Sequence, residues 1–117
     1  MDVRSDNLFV RDSHMVLIDW ANPLWCSVTR ESVYWALGVE AEGGEPAAQA
    51  HARYVAYAQP IPAHAIRGAL ARQAGYFVDR LQAATLSNRL TAYFLTMLPP
   101  TVRWFAQALE LPAPPAM

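Results

Sequence analysis

The sequence predicts a mainly α-helical domain carrying a short N-terminal β-hairpin. Three observations predict it. Two brief apolar runs flank a polar pair near the start; Ala-rich segments with three- and four-residue apolar spacing follow; and Pro or Gly punctuates each junction. The chain has 117 residues, enough to close one core and form one domain. Hydrophobic residues make up 54% and charged residues 16%, the opposite of the balance that keeps a chain disordered.

Leu8-Phe9-Val10 and residues 14–18 are the two apolar runs, and Asp12-Ser13 is the turn between them. Thr29 is placed to cap a helix over residues 29–41, with Glu31 near its positive end and Gly43-Gly44 to stop it. Pro46 suits the first turn of a second helix, which ends before Gln59-Pro60. Pro62 opens a longer third helix, in which Ile66, Leu70, Gln73, Ala74, Phe77, Leu81 and Ala84 make one buried stripe. Gly68 and Gly75 lie along one line of that helix, where they either permit a close helix approach or only weaken it. Ser87-Asn88 caps a fourth helix that Pro99-Pro100 is expected to break. A fifth, with Val102, Phe105 and Leu109 on one side, runs to about Leu111. Residues 112–117 are too rich in Pro to pack and are expected to form a disordered tail.

Composition also excludes functions. The formal net charge is −1, and the nine basic residues are all Arg and do not cluster, so no basic field marks a nucleic-acid surface. The single cysteine, Cys26, excludes an internal disulfide and suits a reducing compartment. The longest apolar stretch, around residues 90–98, is too short for a membrane span, and the charged opening is no signal peptide. A cytoplasmic protein binding neither nucleic acid nor membrane is expected. His14, His51 and His64 are scattered without metal-ligand spacing, and Cys26 has no nearby His to activate it.

The chemistry-bearing residues fall in the first twenty positions. Asp2 and Asn7 lie on a loop leading into the first strand; Asp19 ends the second and is followed by Trp20. A tight hairpin returns Asp19 beside Asn7, so an acid, an amide oxygen and a second acid converge at one end of a two-stranded ribbon. Hard oxygen ligands of this kind suit Mg²⁺. Arg4 adds a fixed positive charge able to face a phosphate. Each residue also has a plainer reading: Asn7 as a turn residue bonding its own backbone, and Arg4 as a surface charge.

Asp2-Val-Arg-Ser-Asp-Asn7, the hairpin, and Val16-Leu-Ile-Asp19-Trp20 together resemble the catalytic loop and metal-binding strand of the aminoglycoside phosphotransferase family, which has the protein-kinase-like fold. Glu31, Trp35 and Glu42-Gly43-Gly44 are similar to features that follow the metal motif in bacterial members. The resemblance implies that residues 1–111 are part of a C-terminal lobe. Within it, residues 1–20 form the catalytic loop and metal-motif hairpin, and residues 29–111 form the helical subdomain. It implies Asp2 as the catalytic base, Arg4 beside the transferring phosphate, Asn7 and Asp19 as Mg²⁺ ligands, ATP or GTP as donor, and a small hydroxyl-bearing acceptor. Met1 occupies the middle of the family's His-x-Asp, so the His falls before the chain, and the chain has no Lys to grip nucleotide phosphates. The expectation is therefore a truncated O-phosphotransferase, inactive or weakly active alone. Its exposed apolar face would be covered by a missing N-terminal lobe or by a second copy. The alternative is a small helical interaction module that keeps the motif residues as relics or needs a partner chain.

Overall fold

Residues 7–17, 27–83 and 85–116 are described by a computed structural model. Strands β1 (Leu8–Arg11) and β2 (His14–Leu17) pair antiparallel, from Leu8↔Leu17 to Arg11↔His14. Only Asp12 and Ser13 connect them, and both have positive φ, 49° and 64°. Positive φ at both central positions defines the type I′ turn, whose twist matches that of the strands it joins. Four helices follow: α1 (Val28–Ala41), α2 (Ala47–Tyr57), α3 (Ala63–Gln82) and α4 (Asn88–Ala108). The mainly helical class with an N-terminal hairpin is thus the observed architecture.

Local chemistry sets the helix ends. Ser27, not the expected Thr29, caps α1: its hydroxyl accepts the Arg30 amide at 3.2 Å. The cap lies two residues earlier than expected because Ser27 adopts the extended backbone of a cap, which frees Thr29 to be helical. At the other end Gly43 (φ 89°) donates to Glu40 O and Gly44 donates to Val39 O at 2.8 Å. Those are the two bonds of a Schellman motif. A Cβ on Gly44 would sit 2.7 Å from Val39 Cγ1, so glycine is required there for space. Pro62 opens α3 as expected; Pro46, expected within the first turn of α2, is instead its N-cap, and each carbonyl accepts first-turn amides.

The expected break at Pro99-Pro100 does not occur; α4 runs through both prolines. They remove the amides that would meet the Leu95 and Thr96 carbonyls one turn back. Leu95 and Thr96 are exposed, so water serves those carbonyls at little cost. On the opposite side Met97, Pro100, Thr101 and Trp104 are buried, and their packing holds α4 helical through the two prolines. Thr101 Oγ1 donates to Met97 O at 2.7 Å beneath them.

The core collects Val33, Ala36 and Leu37 from α1, Ala47 and Ala50 from α2, Leu70 and Phe77 from α3, and Phe94, Met97 and Trp104 from α4. Leu70, Gln73 and Phe77 bury the α3 stripe as read from the spacing, with Ile66 and Leu81 packed at its edge. Ala84 lies outside the described residues. Gly68 and Gly75 line no close approach: a Cβ at either meets nothing within 4 Å. Phe77 and Phe94, with ring centres 5.6 Å apart, join α3 to α4. Glu40 ties three elements, accepting the Ala47 amide at 2.7 Å and pairing with Arg103 on α4.

Candidate functional site

The type I′ turn fixes the hairpin register, and the register fixes what adjoins at the open end. Asn7 immediately precedes β1; Leu17, the last residue of β2, lies opposite Leu8. A two-residue connection leaves no slack, and a slip by one would exchange the faces of every side chain. Asn7 is buried, at 6% exposure. An amide withdrawn from water at a strand entry is held by neighbours rather than left as a solvated surface group. Asp2, Arg4 and Asp19 lie outside the described residues, as do Trp20, Trp25 and Cys26. Asn7 is therefore the member of the expected constellation that the structure describes. Among the described residues no three His, Cys, Asp or Glu side chains are grouped to hold a metal ion. The Asn7 amide oxygen is a suitable hard ligand but needs carboxylates from elsewhere to complete a Mg²⁺ set.

Glu31 lies in the first turn of α1, where its charge complements the helix dipole. Trp35 and Trp104 serve packing: Trp104 is buried in the core and Trp35 leans on Tyr54 with ring centres 6.1 Å apart. His14 is exposed, and its Nδ1 lies 2.9 Å from the Asp12 carbonyl at the turn.

Two polar clusters inside the helical body were not singled out by sequence. Ser32 on α1 and His51 on α2 are both buried, with Ser32 Oγ 3.0 Å from His51 Nε2. Ser32 Oγ also lies 3.0 Å from Thr29 O, so the hydroxyl is within hydrogen-bond reach of both that carbonyl and the imidazole. The His51 ring packs on Trp104 with centres 5.2 Å apart, and burial pushes its pKa below the ordinary 6.5. The pair latches α1 to α2 inside the core, and the tautomer of His51 decides which acceptor takes the serine proton. His51 shares its face of α2 with Ala47, Ala50 and Tyr54, and that three- and four-residue spacing was the available signal. In the second cluster the Tyr34 and Tyr93 hydroxyls hydrogen-bond between α1 and α4. Nothing in the local sequence announces a contact spanning so much chain.

Comparison with models of protein families, with curated proteins and with solved structures finds no match in any of the three. No helix among the described residues is long and apolar enough to cross a membrane.

Proposed function

We propose that the chain is the C-terminal lobe of an ATP- or GTP-dependent small-molecule O-phosphotransferase, with its working end at the open end of the hairpin. The observation carrying this reading is the register. β1 begins one residue after Asn7, and β2 ends opposite Leu8, two residues short of Asp19. In this reading Asp2 orients the acceptor hydroxyl and takes its proton as oxygen attacks phosphorus. Arg4 faces the transferring phosphoryl group, and Asn7 and Asp19 hold Mg²⁺. When bound, Mg²⁺ neutralises charge on the nucleotide's phosphate oxygens. The chain contains no Lys, so the nucleotide-gripping Lys that the resemblance implies has no counterpart in it. Positioning supplies most of the rate in phosphoryl transfer, so the chain alone is slow.

The test is thermal melting of the chain with Mg²⁺ and ATP or GTP. The expected result is a rise in melting temperature that needs metal and nucleotide together, and that Asp19→Asn and Asn7→Ala each abolish. No rise at saturating nucleotide removes the reading. A second reading, an interaction module, is favoured by a separate observation: Phe9, Val10, Met15 and Val16 leave both faces of the hairpin apolar and exposed.

A further inference from the structure

Far from the hairpin in sequence, α1 and α2 form an open groove of about 360 Å³, lined by Trp35, Arg53, Tyr54, Tyr57 and Ala58. Its chemistry is one-sided. Three aromatic rings supply apolar walls, and no carboxylate lines it. Tyr57 is 91% exposed, so its ring is accessible beside the Trp35 and Tyr54 rings of the same groove. The surface that faces the opening is almost entirely carbon, from the aromatic rings and the Ala58 methyl group. Trp35, Tyr54 and Tyr57 make no side-chain hydrogen bond among the described residues.

The same chain carries a segment suited to such an apolar, aromatic surface. α4 ends in a second Schellman motif: Glu110 donates to Gln107 O, and Leu111 donates to Ala106 O at 2.9 Å. Pro112, Pro114 and Pro115 then follow within Leu-Pro-Ala-Pro-Pro-Ala. Each proline fixes its own φ and forces the residue before it into extended backbone, so residues 111–116 are preset for polyproline II. At 3.1 Å per residue those six residues span about 19 Å. They carry neither helix nor strand and are mostly exposed, and none of them lines the groove of its own molecule. The prolines have no N–H, so their backbone offers carbonyl acceptors alone.

We propose that this groove docks the proline-rich segment 111–116 of a second copy of the chain. Proline rings pack against the tilted Trp35 and Tyr54 rings and the exposed Tyr57 ring, which is the aromatic-groove mode of polyproline recognition. The segment is already extended, so little conformational entropy is lost on docking. Charge sets its direction. Exposed Glu110 precedes the prolines, and the Arg53 side chain, paired with Glu45 on one side, remains 66% exposed. The inference uses none of the hairpin residues and stands independently of the phosphotransferase reading.

Sedimentation of the full chain over a concentration series tests it, with Tyr57→Ala as the groove variant and Pro114→Ala/Pro115→Ala as the tail variant. Neither change touches the core, and circular dichroism checks that both variants fold. Wild type is expected to self-associate, and each variant to do so at least about ten-fold more weakly, a loss of ~1.4 kcal/mol. Mixing the variants is expected to restore association, because one keeps the tail and the other the groove. Wild type that stays monomeric into the millimolar range overturns the proposal. So does association that either variant retains undiminished, or a mixture no stronger than its components. A monomeric wild type that nevertheless binds an added peptide of residues 109–117 also overturns it, and gives the groove to a proline-rich segment of another protein.

Discussion

The helical body and the hairpin are built from similarly apolar sequence but are held together by different forces. In the body, Val33, Leu37, Leu70, Phe77 and Met97 are at or near zero exposure, and every helix contributes to one cluster. In the hairpin, Phe9, Val10, Met15 and Val16 remain 54%, 78%, 71% and 45% exposed. Successive strand residues face opposite sides, so Val10 and Met15 share one face and Phe9 and Val16 the other. Burial therefore stabilises the body, whereas turn geometry and a four-pair ladder carry the hairpin. A lone two-stranded ribbon is marginal in water. The contrast teaches that apolar composition alone does not make a core; a face becomes core only where a second element covers it.

The largest test of this contrast is a pair of truncations measured by denaturant unfolding. Phe77→Ala, at a fully buried ring in contact with Phe94, is expected to cost about 3–5 kcal/mol. Val10→Ala, on the open ribbon, is expected to cost less than about 0.5 kcal/mol. A cost above about 2 kcal/mol for Val10→Ala breaks the comparison, because it means that something covers that face.

A smaller effect comes from the latch within the body. Burial lowers the His51 pKa below 6.5, so between the folded value and 6.5 the unfolded chain binds more protons than the folded one. Stability then rises with pH through that window. The His51 contribution is fully present above pH 6.5 and is lost as pH falls from there towards the folded pKa. His51→Gln, which keeps a donor for Ser32, is expected to flatten the fall of melting temperature between about pH 7 and pH 5. An unchanged slope means that protonated His51 is tolerated between Ser32 and Trp104, and the latch reading fails.

The same contrast governs what was legible in sequence. Helix positions were readable because their signals are local: Pro46, Pro62, Ser87 and Gly43-Gly44 act within one turn of where they stand. The hairpin was readable from its turn pair for the same reason. The course of the chain through Pro99-Pro100 was not, because it depends on which side of α4 faces water, and α1 and α3 decide that. Ser32 with His51, and Tyr34 with Tyr93, were hidden likewise: each half is ordinary on its own helix. Of the expected site, the sequence alone gave the ribbon and its turn, and the structure adds the burial of Asn7. Asp2, Arg4 and Asp19 remain expectations of sequence.

The finest test uses two substitutions of similar small intrinsic gain, one in each region. Gly75 is exposed mid-helix with open space where a Cβ would stand, so Gly75→Ala is expected to stabilise α3 by about 0.5–1 kcal/mol. Ser13 holds φ 64° in the turn, and Ser13→Gly removes a left-handed backbone penalty of about 1 kcal/mol. If the regions are energetically separate, Gly75→Ala shifts the global unfolding midpoint. Ser13→Gly then leaves that midpoint unchanged and slows hydrogen exchange only at the amides of the β1–β2 ladder. A global shift from Ser13→Gly equal to that from Gly75→Ala means that the ribbon unfolds with the body. The exposed faces of the ribbon would then have to be clamped at the end where Asn7 is buried, and the stability of the candidate site would be that of the whole domain.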